Sequence, residues 1–150
     1  MIKVFDDKAF MKMALDQAKL AALAGEVPIG AILVYKQQIL AKAHNQTELL
    51  KDVTAHAEIL AITAAAQHLN SKYLIDCTIY VSLEPCPMCA AALRWAQIGR
   101  LVYAAEDEKM GYMRFGNGML HPKTKIEFGL LREESSALLS SFFKAKRKPK

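Results

Sequence analysis

The chain is poor in cysteine, with three in 150 residues, and has no uncharged apolar run approaching the roughly 18 residues that span a bilayer. An odd, small cysteine count argues against a secreted disulfide scaffold and favours a reducing compartment with metal or redox use of the one close pair. The N-terminus, Met1-Ile2-Lys3-Val4-Phe5-Asp6-Asp7-Lys8, has no apolar targeting core, so a cytoplasmic protein with no membrane association is expected. Charge of one sign is also missing from most of the chain. The net charge of +5 is supplied by Lys144, Lys146, Arg147, Lys148 and Lys150, and residues 1–143 carry as many acidic as basic residues.

What is present is an ordinary globular composition, 53% hydrophobic and 23% charged, in a length that suits one domain. No linker or internal repeat divides it, so residues 1–150 are expected to form a single domain with 144–150 as a basic tail. Apolar spacing predicts a helix over 7–24, capped by Asp6 or Asp7 and ended at Gly25. Strands follow over 29–35 and 39–43, joined as a hairpin through Lys36-Gln37-Gln38. A polar stretch, His44-Asn45-Gln46-Thr47, leads to a helix over about 55–69 with Thr54 as its cap. A third strand over 77–83 gives way to a helix opened by Pro87 and stopping near Gly99. A fourth strand over 100–105 is then parallel to the third. Residues 106–129 form a long loop able to hold a short element, and helical spacing returns over 133–146. The order implies one layered α/β domain.

Chemistry concentrates in two places. Cys86 and Cys89 stand three apart where a strand turns into a helix, where free N–H groups favour thiolates. That pair suits either a metal or a thioredoxin-like dithiol. His56 and Glu58, some thirty residues upstream, distinguish the two, because a redox dithiol needs neither. Cys77 lies at the far end of its strand, roughly 20 Å from the Cys86 end at about 3.3 Å per residue, and reads as a buried small hydrophobe. Three ligands, His56, Cys86 and Cys89, then leave one position of a tetrahedral zinc for water, the catalytic rather than the structural pattern. Glu58 is the carboxylate placed to move the water's proton. Glu84, before Pro85, is expected to orient the turn.

His56-Ala57-Glu58 with Pro85-Cys86-Pro87-Met88-Cys89 resembles the H-x-E…P-C-x-x-C signature of the zinc-dependent nucleoside and nucleobase deaminases. Glu26-Val27-Pro28-Ile29-Gly30-Ala31, His44-Asn45, Ser82-Leu83-Glu84 and the closing Leu138-Leu139…Phe142-Phe143 extend the resemblance to the bacterial tRNA-specific adenosine deaminases over nearly the whole chain. Asp107, Lys109 and Gly111 match that family's D-x-K-x-G run, whereas Tyr112 replaces its usual small residue and the loop before Leu120-His121 is short. The resemblance implies a cytidine deaminase-like fold, a three-layer α/β/α sandwich with a mixed central sheet, and one zinc per chain. It implies attack of activated water on C6 of a flipped adenine, with Glu58 shuttling protons. Asn45 and the Ala57 amide would hold the purine. The target would be the wobble adenosine of a tRNA anticodon stem-loop, with Asp107, Lys109, Phe143, Lys144, Lys146, Arg147 and Lys148 toward the RNA. A homodimer is also implied. The helix over 89–95 would supply part of its interface, although Leu93 and Trp95 suit a plain core equally well. The alternative on the same fold is a deaminase of free guanine or cytosine. A zinc-stabilised RNA-binding protein without activity would have no use for Glu58.

Overall fold

The computed structural model describes residues 4–147. Helix α1 (Asp7–Leu23) starts where the Asp6 carboxylate accepts the Ala9 N–H at 2.8 Å, the ordinary side-chain N-cap. Its buried residues, Phe10, Met11, Ala14, Leu15, Ala18 and Ala21, recur every three or four positions and form one stripe. Strands β1 (Gly30–Tyr35) and β2 (Gln38–His44) make the antiparallel hairpin, turned through Lys36 and Gln37 in left-handed conformation. Then come α2 (Thr47–Leu50), α3 (Ala57–Leu69), β3 (Cys77–Leu83), α4 (Pro87–Ala96) and β4 (Arg100–Ala105). A 3₁₀ helix (Tyr112–Phe115), β5 (Lys125–Phe128) and α5 (Arg132–Lys146) complete the order.

The sheet runs β2-β1-β3-β4-β5 and is mixed: β1 is antiparallel to β2 and β3, while β3, β4 and β5 are parallel. Alternation along the central strands feeds two cores. Ala31, Leu33, Ile79, Val81, Leu101 and Tyr103 face α3 and α4, packing with Ala57, Ala61, Ala65, Leu93 and Ala96. Ile32, Val34, Tyr80, Val102 and Ala104 face α1, packing with Phe10, Met11 and Ala14. Both faces of the sheet are therefore covered, giving three layers, and each fully buried Leu, Ile or Phe contributes on the order of 1.5–3 kcal/mol. Arg100, at the start of β4, ties the layers at their polar edge: it donates to Asp7 at 2.9 and 2.6 Å and to Glu127 at 3.2 and 2.9 Å.

Four expectations are corrected. Thr54 does not cap α3, because its N–H and hydroxyl both bond the Asp52 carboxylate, at 2.8 and 2.7 Å. The helix begins two residues later with His56 in the cap position, extended at φ −73° and ψ 153°. The polar stretch contains a short helix, α2, whereas the long loop holds short elements as expected, the 3₁₀ helix and a fifth strand. Helix α4 ends at Ala96, with Gln97 rather than Gly99 in left-handed conformation. Trp95 is 81% exposed and so is not core, whereas Leu93 is buried. Among the described residues no helix is long and apolar enough to cross a membrane.

Candidate active site

The site forms where β3 ends and two helices begin. Cys86 occupies the residue before α4, and Pro87 takes the first helical position, where its missing N–H costs nothing. One turn further, Cys89 is buried against the sheet. His56 stands in the matching position before α3, and the two helix starts bring three donor atoms together. His56 Nδ1 lies 3.6 Å from Cys86 Sγ and 3.5 Å from Cys89 Sγ, and all three donors fall within 4.8 Å of one another. A tetrahedral zinc with bonds of about 2.3 Å to sulfur and about 2.0–2.1 Å to nitrogen sets those atoms about 3.5–3.6 Å apart. The donor set and its spacing fit such an ion. Cys77, buried at the start of β3, is outside the group, its thiol pushed up to about 11 by burial and the nearby Asp76 charge.

Proton sharing within the group is unequal. The Cys89 thiol hydrogen-bonds Cys86 and, against the cost of burial, lowers it to about 4, with His56 adding to the effect. The same bond, with burial, pushes Cys89 up, and His56 is raised by its bond to Cys86. Cys86 is thus favoured as a thiolate, the form that ligates metals, and Cys89 would take that form by releasing its proton when a metal binds. Glu58, at the second position of α3, is fully buried, and that burial pushes its carboxyl up to about 7. A carboxyl near neutrality can both accept and return a proton, as a general acid–base must. Its Oε1 and Asn45 Oδ1 are buried without hydrogen-bond partners within the protein. Buried polar atoms left unpaired are costly, so both are placed for a ligand that satisfies them. The Ala57 N–H, first in α3, has no intrahelical acceptor available to it.

Asn45, His56, Glu58 and Cys86 line one cavity of about 860 Å³. Its walls are largely apolar: Val27, Ile29, Val53, Leu83, Met88, Met110, Phe115 and Leu139. Sequence reasoning did not single these out as site residues, and the signal available was apolar side chains in segments too polar to form core, Val53, Met110 and Phe115. Two buried carboxylates hold the walls. Glu26 accepts the Glu48 and Leu49 N–H groups at 3.0 and 2.8 Å and fixes α2. Glu84 accepts the Asp107 and Met113 N–H groups at 3.1 and 3.0 Å and fixes the 107–113 segment over the Pro85 turn. Of the residues expected toward RNA, Asp107 and Phe143 line the cavity, and Lys109, Lys144, Lys146 and Arg147 are exposed outside its lining. Lys148 lies outside the described residues.

A mixed sheet between helical layers, with a His/Cys/Cys group and a buried glutamate at the end of β3, defines a deaminase of the cytidine deaminase-like class. The chain belongs to the MafB19-like deaminase family, whose model matches residues 5–147. It is 48% identical over 143 residues to the tRNA-specific adenosine deaminase of Aquifex aeolicus, covering 92% of this chain and 94% of that protein. A solved structure from studies of A-to-I editing by tRNA:A34 deaminases at the wobble position of transfer RNA superposes with a TM-score of 0.81 at 42% identity, covering 87% of this chain and 98% of that one. The guanine deaminase of Bacillus subtilis is 40% identical with a TM-score of 0.66, covering 68% of this chain and 66% of that one.

Proposed function

We infer that the protein deaminates adenosine to inosine hydrolytically at the wobble position of a tRNA anticodon loop. The observation that carries the chemistry is the buried, unpaired Glu58 oxygen in the same cavity as three donors spaced for tetrahedral zinc. High identity to tRNA-specific adenosine deaminases over almost their full length supports the substrate.

His56, Cys86 and Cys89 would hold one zinc per chain. Zinc at such a site supplies a nucleophile at neutral pH by lowering the pKa of bound water to about 7. Glu58 takes the proton of the attacking water and delivers protons to N1 of the purine and to the departing ammonia. Asn45 and the Ala57 N–H hold the purine edge, and the apolar walls take its faces. The base must leave its stack to enter, which an unpaired loop nucleotide does at least cost. Asp107, Lys109 and Phe143, with the cations Lys144, Lys146 and Arg147 at the end of α5, face the RNA. Residues 1–150 act as one domain in the cytoplasm, as a homodimer in which the exposed Trp95 of α4 lies in the interface.

Deamination of free guanine is the second reading, favoured by the guanine deaminase relative. Measuring product from an anticodon stem-loop beside free adenosine, guanine and cytosine separates the two. Inosine from the stem-loop is expected, and turnover of a free base alone would refute the RNA assignment.

A further inference from the structure

The cavity is larger and more open than a single purine requires. At about 860 Å³ it stands near the top of the roughly 300–1,000 Å³ range of small-molecule sites. Part of its wall is the 3₁₀ helix, where Phe115 lines the cavity yet remains 53% exposed. Apolar surface of that size at the mouth of a polar reaction site is left uncovered by the protein itself.

The backbone that leads into Phe115 is nonetheless held by hydrogen bonds. Tyr112, at the start of the same 3₁₀ helix, is buried, and its N–H donates to the Pro85 carbonyl at 2.9 Å, beside the Cys86 turn. The Met113 N–H is held by Glu84, and the Arg114 N–H donates to the Gly111 carbonyl at 3.2 Å. The Arg114 side chain also donates to the Lys109 carbonyl at 3.0 Å, with its guanidinium over the Phe115 ring, 5.9 Å from the centroid. Of the nearby acidic groups, Asp107 accepts the N–H groups of Lys109 and Met110 and Glu106 pairs with Arg132, while Glu108 lines a separate cavity together with Arg114. An exposed aromatic ring on a fixed backbone, backed by a bonded cation, offers an unstacked base of any identity a π-face to stack on.

We propose that Phe115, backed by Arg114, is the platform on which the nucleobase next to the target adenosine stacks. This rests on RNA being the substrate. The target base enters toward Glu58 while its neighbour remains at the rim. Because the backbone that carries the ring is already fixed, stacking orders little more than one side chain and acts on binding rather than on the chemical step.

The test measures inosine formation from an anticodon stem-loop, intact or with an abasic nucleotide immediately 5′ or 3′ of the target. Wild-type protein is compared with Phe115→Ala and Phe115→Trp. Phe115→Ala should raise KM about tenfold or more with kcat within about twofold, and Phe115→Trp should restore it. Removing the base at one of the two neighbouring positions should raise the wild-type KM by a similar factor and that of Phe115→Ala no further. An unchanged KM in Phe115→Ala, or losses that multiply at both positions, would overturn the platform. Wild-type protein that makes no inosine from the stem-loop overturns the functional reading and the platform together.

Discussion

The Glu84 carboxylate and the Gly111 backbone touch so closely that a methyl group on Gly111 would overlap both Glu84 Oε2 and the Asp107 carbonyl. Gly111 has an ordinary backbone conformation, φ −67° and ψ 148°, so it is lack of space that calls for glycine here. Gly111→Ala must displace the carboxylate that holds the Asp107 and Met113 amides, and overpacking of this kind costs about 1–3 kcal/mol. A lowered Tm and a raised KM for RNA are expected, with bound zinc unchanged by elemental analysis. A variant with wild-type Tm and KM would show that the clamp is unimportant.

Glu58→Gln keeps the shape of the side chain but cannot carry a proton. General acid–base catalysis contributes about 10²–10⁴-fold, so turnover should fall by at least that factor while RNA affinity is retained. Single-turnover inosine formation measures the first and a filter-binding titration the second. Substantial residual turnover would remove Glu58 from the mechanism.

Both halves of the site were legible in the sequence because each is local: Cys86-Pro87 marks a strand-to-helix switch, and His56-Ala57-Glu58 opens the next helix. The central strands were legible too, β1 as a near-continuous apolar run and β4 as a parallel partner of β3 across a helix, while the three layers followed from the family resemblance. What was hidden depends on partners distant in sequence or on local competition. Thr54 looks like a cap until Asp52 takes its hydroxyl. Helix α2 is four residues long and is held by Glu26, more than twenty positions earlier. Strand β5, Lys125-Ile126-Glu127-Phe128, alternates polar and apolar residues, but at four residues and exposed throughout it is too short to stand out, and its pairing with β4 reveals it.

Removal of thiols one at a time separates the metal group from the spare cysteine. Cys89→Ala should abolish zinc retention, and Cys77→Ala should keep one zinc per chain at a modest cost in stability from a small cavity. Zinc content of the purified proteins by atomic emission decides this. Equal zinc loss in both variants would place Cys77 within the metal's reach, against its position at the other end of β3.

The exposed cations at the end of α5 act by charge alone if they meet phosphates. Replacing Lys144, Lys146 and Arg147 together by Ala should flatten the plot of log Kd against log salt by about two units, at roughly 0.7 for each phosphate no longer neutralised. Turnover at saturating RNA should be preserved. An unaltered salt slope would mean that these side chains do not meet the RNA.

Glu26 links the cavity wall to pH. Burial alone would raise its carboxyl, but the Glu48 and Leu49 amides, with the Thr47 hydroxyl, outweigh burial and hold it below the usual carboxylate value of 4.5. A group depressed in the folded state binds its proton more readily when unfolded. Its stabilisation is therefore full above the unfolded value, and is lost as pH falls through about 4.5 toward the lower folded value. Glu26→Gln presents an amide NH2 group where two N–H donors need acceptors, a mismatch of about 1–3 kcal/mol, and it removes the titration. In urea unfolding the wild type should exceed Glu26→Gln in stability at pH 7, and the gap should narrow as pH drops below 4.5. Comparing the two proteins at each pH cancels the shared loss of metal in acid. A gap that stays constant with pH would show that the ionised carboxylate is not what holds α2 against the cavity.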